Sequence, residues 1–382
     1  MRTKGMFLAV VLASAGAMTT YAQQPQQPPA PERTPGVQGP ADPKRAEFIA
    51  ANCKNPPAPA APRGGGVPAG APGAAGRGGP GAGRAGGAPA APTNADVSTT
   101  AIPGVIAAGQ KWKLVWEDKG NNADGPVGMD DGSLWLAQND NSQVVRIDKN
   151  GKAEVIYKDT YTGGALAANK KGEVFIGERA LHLAIWYLKP QRKLFANSHA
   201  GEPLECIGGG IINDMTADSK GGVYMTMGGI YYANPKGEVS LRYGTIGGNG
   251  IILSPDEKTL YTTGRLMGAT PPAGVEGNGG LVAFDVQPDG SLTNERQFAW
   301  YGGDGTAVDK DGRIYTTMGG QNPGVAVIST KGDLLGVIPV PRNLISVAFG
   351  GTDKKILYGV AIRDVQIFSI PTIAQGLKGR PK

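Results

Sequence analysis

Histidine and cysteine are scarce in this sequence, whose 382 residues contain only two of each. The histidines are His182 and His199, and the cysteines are Cys53 and Cys206. This is too few to assemble the cysteine and histidine clusters that hold zinc in proteins. The sequence therefore excludes a histidine-rich zinc centre, and a metal site would have to use oxygen ligands.

Charged residues are also few, at 18% of the chain, with a formal net charge of +6. Most of the positive excess lies before residue 98, so the remainder of the chain is close to neutral. Nucleic-acid-binding domains carry a basic patch or a strongly positive net charge. The composition therefore gives no indication of nucleic-acid binding.

Long apolar runs are absent, and the first 22 residues carry the pattern of a secretory signal. Arg2 and Lys4 precede an apolar run over residues 6–13, and Thr20-Tyr21-Ala22 forms a small-residue cleavage site. The run is too short to cross about 30 Å of hydrocarbon, although an uncleaved anchor is the alternative. We expect a periplasmic or secreted protein with no membrane span after cleavage.

In such an oxidising compartment Cys53 and Cys206 could form a disulfide. The alternative is a buried free thiol at Cys206 and an unpaired Cys53, and the two residues alone do not decide between these arrangements.

Glycine (61 residues) and proline (30 residues) are abundant, and many of them fall between residues 23 and 97. A segment with so few large apolar side chains cannot offset the conformational entropy lost on ordering. We predict a disordered Pro/Gly/Ala-rich linker over residues 23–97, acting as a spacer, with at most one short helical turn over residues 41–53.

The remainder repeats one pattern six times: a polar or glycine start, a short apolar run, a turn, and a β-rich run that ends in an aromatic residue. The units begin 36 to 55 residues apart, and the two longer ones carry insertions at residues 199–210 and 267–280. We call the six first residues the starting ring: Asp124, Gly163, Asn213, Asn249, Asp304 and Asn343.

Units of about 40 residues with four short strands are typical of propeller blades. We predict an all-β fold, a six-bladed β-propeller over residues 98–375. In the unit that starts at Asp304 the strands are expected at residues 306–309, 313–317, 324–328 and 334–339. A strand over residues 111–117 is expected to pair with 365–370 and close the ring. A β-sandwich and a parallel β-helix are the alternatives.

In a propeller the innermost strand of each blade lines the central channel, so the starting ring is expected at its mouth. Carboxylate and amide oxygens without a nearby thiol suit a hard cation. Asp124, Asn249 and Asp304 together indicate a site for one divalent cation, with Ca²⁺ favoured and Mg²⁺, Mn²⁺ or Zn²⁺ as alternatives. The competing interpretation is that Asn and Asp cap turns by bonding their own backbone, which we favour for Asn343.

Five segments in order resemble the motifs of the gluconolactonase, senescence-marker-protein and luciferin-regenerating-enzyme family of six-bladed propellers. They are A-D-G-P (123–126), I-N-D-M-T-A-D-S-K-G-G-V-Y (212–224), G-N-G-I-I-L-S-P-D-E-K-T-L-Y (248–261), G-D-G-T-A-V-D-K-D-G-R-I-Y (303–315) and V-A-F-G-G-T-D-K-K-I-L-Y (347–358). The resemblance implies Asp124, Asn249 and Asp304 as metal ligands, Asn213 as an amide that faces the substrate or the metal, and Asp304 as the catalytic acid or base.

The chain departs from the family pattern around these positions. Asp124 stands where the family has glutamate, and Gly248 and Gly303 replace prolines. Ile211 stands where some lactonases carry a substrate-binding arginine, and M-T-M (225–227) and T-T-G (262–264) replace F-T-D and V-T-D. The expected metal ligands are kept, whereas the residues around the substrate are not.

Glu202 and Glu205, in the insertion at residues 199–210, could reach over the channel mouth, and we assign Glu202 to substrate binding. The alternative is a solvated loop. His182 alternates with apolar residues, which favours a strand position, and His199 begins the same insertion as Glu202.

A divalent cation polarises an ester carbonyl and lowers the pKa of water, and a carboxylate can carry the proton. The sequence therefore predicts a monomeric, metal-dependent lactonase or esterase that acts on a sugar lactone or a similar small ester. The alternatives are isomerase or lyase chemistry at the same site, and a non-catalytic propeller that binds a carbohydrate, peptide or protein with a structural metal.

Overall fold

The structure is a computed structural model that describes residues 42–56, 97–118, 122–208, 210–319, 323–361, 365–380 and 382. The predicted signal peptide and most of the predicted linker lie outside these residues. Within the described ranges, no helix combines the length and apolar character needed to cross a bilayer.

Six antiparallel sheets form the blades of a propeller, as predicted. A helix, α1 (Arg45–Asn52), and a first strand, β1 (Lys113–Asp118), precede them. Blade one comprises β2 (Asp124–Gly128), β3 (Leu134–Gln138), β4 (Gln143–Ile147) and β5 (Ala153–Tyr157). Blade two comprises β6 (Ala165–Ala168), β7 (Val174–Glu178), β8 (Ala184–Lys189) and β9 (Lys193–Ala196).

A connection containing β10 (Ser198–His199), β11 (Glu202–Pro203) and a short helix, α2 (Leu204–Ile207), leads to blade three. Blade three comprises β12 (Met215–Ala217), β13 (Val223–Thr226) and β14 (Ile230–Ala233). Blade four comprises β15 (Ile251–Leu253), β16 (Thr259–Thr263), β17 (Leu281–Val286) and β18 (Leu292–Ala299).

Blade five comprises β19 (Thr306–Val308), β20 (Ile314–Met318), β21 (Gly324–Ile328) and β22 (Leu334–Pro339), each within about one residue of its predicted position. Blade six comprises β23 (Leu344–Gly350), β24 (Ile356–Ala361) and β25 (Val365–Pro371). The pairing of β1 with β25 supplies its fourth strand and closes the ring, which confirms the prediction.

Blade three departs from the predicted four-strand unit. Beyond β14, only isolated bridges join Ala233 to Val239 and Ile230 to Tyr243. The Tyr232 N–H donates to the Ser240 hydroxyl (2.9 Å) instead of to a backbone carbonyl. The Ser240 side chain thus replaces a backbone carbonyl as the hydrogen-bond acceptor, and the regular fourth strand is interrupted.

The hairpin turns follow directly from the repeated polar residues. In blade five Asp309 Oδ1 accepts the N–H groups of Asp311 and Arg313, each at 3.0 Å. Gly312 then takes φ +85°, a conformation that residues with a Cβ rarely adopt. The D-K-D-G sequence therefore specifies a tight reversal between β19 and β20.

The core consists of six apolar clusters, and each lies between two neighbouring blades. Both faces of most sheets are covered, so strands such as β3, β6 and β21 are buried along their whole length. Burying one large side chain stabilises the fold by about 1.5–3 kcal/mol. The innermost strands contact one another in the order β2, β6, β12, β15, β19, β23 and back to β2, and they enclose the central channel.

Part of the predicted linker region is folded against this ring. Helix α1 lies within residues 41–53, and Phe48 on it is 3% exposed, with its ring edge-to-face with His182 at 4.8 Å. A disulfide joins Cys53 to Cys206, which decides between the two arrangements that the sequence left open. The disulfide therefore ties α1 to α2.

Contacts also continue past residue 375, the predicted end of the propeller. Residues 372–380 and Lys382, which we call the tail, cross the face where the inner strands end. Gln375 O accepts the Lys310 N–H (2.8 Å), and Gly376 donates to Lys354 O (2.9 Å). Arg380, 2% exposed, donates to the carbonyls of Leu253 (3.1 Å) and Ser254 (2.6 Å). The tail thus covers one end of the channel.

Candidate active site at the mouth of the channel

The starting ring lies where the inner strands begin, at the end of the channel opposite the tail. Asp124 opens β2, while Asn249 and Asp304 each stand two residues before their strands. A Cβ added at Gly250 would overlap the backbone carbonyl of Asp304. Neighbouring strands approach so closely at the axis that glycine is required beside the polar residue, which explains the recurring N-G and D-G pairs.

Threonine hydroxyls at the ends of the second strands fix the backbone of the starting ring. Thr226 Oγ1 donates to Asn249 O (2.6 Å), Thr263 Oγ1 accepts the Gly250 N–H (2.8 Å), and Thr317 Oγ1 accepts the Asp304 N–H (3.2 Å). Sequence reasoning missed these residues. A signal was available, because threonine follows the aromatic end of the repeat within two residues in blades three, four and five.

Arg179 is a buried cation that the sequence reasoning also missed. Arg179 follows β7 and is 3% exposed. Its Nε donates to Ile212 O (2.7 Å), and its Nη2 donates to Asp124 Oδ2 (3.1 Å) and to Asn213 O. The member of the starting ring from blade two, Gly163, has no side chain. Arg179 of the same blade supplies a polar group at this position of the channel instead.

The guanidinium of Arg179 fits because Gly164 has no side chain. A Cβ on Gly164 would lie 2.7 Å from Arg179 Nε and closer still to the rest of the guanidinium. We expect Gly164→Ala to displace Arg179 and to lower the free energy of unfolding by about 1–3 kcal/mol, the usual range for an overpacked position. Urea unfolding followed by circular dichroism measures this loss.

Gly247→Ala is the matched control, since a Cβ there meets nothing within 4 Å. We expect that control to unfold as the native protein does. Equal stability of Gly164→Ala and the native protein would contradict the assigned position of Arg179.

The carboxyl groups of the site influence one another strongly. Burial raises the pKa of Asp304 to about 8, with further contributions from the carboxylates of Asp124 and Asp214, while Arg179 and Lys382 act in the opposite direction. Burial also raises the pKa of Asp124, and the Arg179 guanidinium opposes that shift. Like charges are thus gathered in one partly buried site, and a further cation would stabilise their ionised forms.

Asp214 and Lys382 form an ion pair inside the channel. Asp214 is 6% exposed and Lys382 3% exposed. Lys382 Nζ donates to Asp214 Oδ1 and to Met215 O (3.2 Å). The sequence reasoning chose Asn213 and passed over its neighbour, and nothing in the repeats connects residue 214 with residue 382.

The donor set fits a hard divalent cation. The Oδ1 atoms of Asn249 and Asn343 are buried and have no hydrogen-bond partner within the described part of the chain. The turn interpretation of Asn343 required that oxygen to bond its own backbone, so it gains no support. Across the same part of the chain, no three His, Cys, Asp or Glu side chains are grouped closely enough to hold a metal. A cation would therefore need amide oxygens beside Asp124 and Asp304.

The remaining predicted site residues have these positions. Asn213 donates its N–H to Thr226 O (2.8 Å) within the starting ring. Glu202 Oε1 accepts the Lys54 N–H (2.7 Å), so it bonds the segment beside Cys53. His199 Nδ1 lies 2.5 Å from Val239 O. The assignment of Glu202 to substrate binding stays a prediction.

Glu205 and His182 lie beneath α1 rather than over the channel. Glu205 is fully buried, and its Oε1 accepts the Leu183 N–H and lies 3.7 Å from His182 Nδ1. The methionines that replace family positions, Met225 and Met227, are fully buried in the cluster between blades two and three. These substitutions therefore fill the core.

The sequence profile of the SMP-30/gluconolactonase/LRE-like region matches residues 122–363. Lactonase drp35 of Staphylococcus epidermidis is 28% identical over 215 residues, which cover 53% of this chain and 57% of that protein. Lactonase drp35 of Staphylococcus aureus is 27% identical over 216 residues, which cover 53% and 58%. The chain thus spans little more than half the length of these curated relatives.

Two solved structures share the fold. A gluconolactonase from Xanthomonas campestris aligns with a TM-score of 0.60 at 22% identity, covering 75% of this chain and 98% of that one. Regucalcin, a calcium-binding protein from Agrobacterium tumefaciens, aligns with a TM-score of 0.54 at 20% identity, covering 70% and 95%. With the profile match extending over more than half of its length, this chain belongs to the SMP-30/gluconolactonase/LRE-like family.

Proposed function

We propose that this protein hydrolyses a sugar lactone or a similar small ester at the mouth of the channel, with one divalent cation bound. One observation carries the proposal. Asp124 and Asp304 lie close enough at the channel mouth to influence each other electrostatically, and the buried Oδ1 atom of Asn249 in the same ring has no hydrogen-bond partner within the described residues. Carboxylate and amide oxygens are the ligands that a hard cation prefers. The relatives named lactonase support the reaction class.

Asp124, Asn249 and Asp304 would hold the cation, with the Asn343 oxygen available as a further donor. When bound, a divalent cation supplies Lewis-acid chemistry that polarises the ester carbonyl. Burial and the neighbouring carboxylates raise the pKa of Asp304 in the metal-free site, and a bound cation would lower it, so that Asp304 would be ionised and able to accept a proton.

Asp304 would accept the proton of the attacking water at its carboxylate. It would then return that proton to the alkoxide released when the ring C–O bond breaks, which leaves a hydroxy acid. Arg179 holds Asp124 in place through the 3.1 Å bond and offsets part of the negative charge. The tail covers the opposite end of the channel, so substrate would enter from the face of the starting ring.

The test is hydrolysis of a panel of γ- and δ-lactones by the full chain, followed as acid release in a pH-stat. We expect turnover of at least one sugar lactone, loss of that activity in a chelator, and its return with added Ca²⁺, Mg²⁺ or Mn²⁺. A metal-loaded protein that hydrolyses nothing in the panel would contradict the proposal.

A non-catalytic binding propeller is the second candidate. The observation that favours it is Ile211, which stands where some lactonases carry a substrate-binding arginine. The nearby Arg179 directs its bonds at protein oxygens. Ca²⁺ binding without turnover in the same experiment would support this candidate.

We also propose that the protein acts in the periplasm or outside the cell. The disulfide between Cys53 and Cys206 supports this location, because such bonds persist in oxidising compartments.

A further inference from the structure

The ammonium of Lys382 is buried inside the channel, which is rare for lysine. The residue is 3% exposed, and Nζ donates to Asp214 Oδ1 and Met215 O. Removing an ammonium from water is unfavourable unless it is paired and hydrogen-bonded. Asp214 supplies the charged partner and Met215 O a further hydrogen bond, so the buried position of the ammonium is stabilised by specific contacts.

The tail fixes this ammonium in place through contacts with several blades. The Gly379 N–H donates to the Asp130 carboxylate (3.1 and 3.2 Å) on blade one, and Arg380 binds carbonyls of blade four. The carbonyl of Lys382 accepts the Val308 N–H (3.2 Å) on blade five. With the tail held on three blades, Lys382 reaches Asp214 on a fourth.

Asp214 has both carboxylate oxygens occupied by donors of the protein. Its Oδ1 accepts the Met215 N–H (2.8 Å) as well as the ammonium, and its Oδ2 accepts the Ile251 N–H (3.0 Å). The Asn249 oxygen, by contrast, has no partner within the described residues. The two oxygens of Asp214 are therefore both held by protein donors, one of them the Lys382 ammonium, whereas the Asn249 oxygen is held by none within the described residues.

We propose that Lys382 is a tethered counter-ion: it neutralises Asp214, keeps that carboxylate from binding cations, and weakens and limits cation binding at Asp124, Asn249 and Asp304. The inference rests on the cation site of the proposed function. Lys382 also acts electrostatically on Asp304, since its charge opposes the effect of Asp124 and Asp214 on that carboxyl. It is a positioning residue and contacts no reacting atom.

The test is Ca²⁺ binding by calorimetry to the full chain after chelator treatment, without substrate. We expect Lys382→Met to tighten Ca²⁺ binding by about tenfold or to add a second bound ion, because a nearby positive charge is lost and Asp214 becomes open. Asp214→Asn should weaken binding, since it leaves the ammonium without its partner. The double variant, which loses one positive and one negative charge, should bind Ca²⁺ with an affinity within about threefold of the native value.

Lys378→Met is the matched control, because Lys378 is an exposed lysine of the same tail, and we expect no change in affinity. If Lys382→Met does not fold, Lys382→Gln replaces it, since an amide still donates to Asp214 without the charge. Native affinity in every folded variant would overturn the counter-ion role and leave the proposed function intact.

The two proposals fail separately. A native protein that binds none of Ca²⁺, Mg²⁺ and Mn²⁺ contradicts the cation of the proposed function, and binding gained in Lys382→Met would then still support the counter-ion. If neither protein binds any of the three ions, both proposals are overturned.

Discussion

Asp304→Asn is expected to lower kcat/KM for the preferred lactone by at least about 10²-fold, the low end for loss of a general acid or base. The amide keeps the shape of the side chain but cannot accept a proton. The backbone N–H that binds Thr317 is unaffected, so blade five should remain in place. Initial rates with the metal-loaded protein measure the effect.

The stability of Asp304→Asn should not fall with its activity. Asp304 lies near the carboxylates of Asp124 and Asp214, so removal of one negative charge relieves repulsion in the metal-free protein. We expect the free energy of unfolding of Asp304→Asn to equal or exceed that of the native chain. This separates a defect in chemistry from a defect in folding.

Asp311→Asn is the control in the same blade. Its carboxylate is 47% exposed and pairs with Lys310 and Arg313 at the opposite end of the inner strand. Exposed ion pairs contribute about 0–1 kcal/mol, so activity should stay within about twofold of native. Native activity in Asp304→Asn would remove Asp304 from the mechanism.

Cys53→Ser is expected to lower the free energy of unfolding by about 2–5 kcal/mol, the usual loss for a native disulfide. The bond joins residues 153 positions apart, so it restricts the unfolded chain over a long loop. It also holds α1 on the propeller, where Phe48 is buried against His182. Urea unfolding with and without dithiothreitol measures the loss.

Cys206→Ser and the double variant provide the matched comparison. All three should show the same stability, and dithiothreitol should destabilise only the native chain. Equal stability of the native and Cys53→Ser proteins under oxidising conditions would show that the bond does not stabilise the fold.

Sequence reasoning predicted those parts of the molecule that repeat. Six copies of one pattern located the blades, and the β1–β25 pairing followed from the need to close a ring. The starting ring was found in the same way, because each of its members occupies the same position in a repeat. Local pattern and repetition were sufficient for these features.

The residues that were missed lie outside the repeat or depend on distant partners. Arg179 reaches the channel from a connection after β7, and its position depends on the missing side chain of Gly164. Lys382 arrives on the tail, 168 residues from Asp214. No spacing rule relates such pairs, since tertiary packing alone brings them together.

The pairing of β1 with β25 has a consequence for how the chain folds. Residues 113–118 must find residues 365–371, so the last blade gains its fourth strand only when these two distant segments meet. Until then the other blades form an open arc whose terminal strands can pair with another chain. Contacts of such large sequence separation form slowly. Ring closure is therefore a late step, and the time spent as an open arc determines how long the protein is exposed to aggregation.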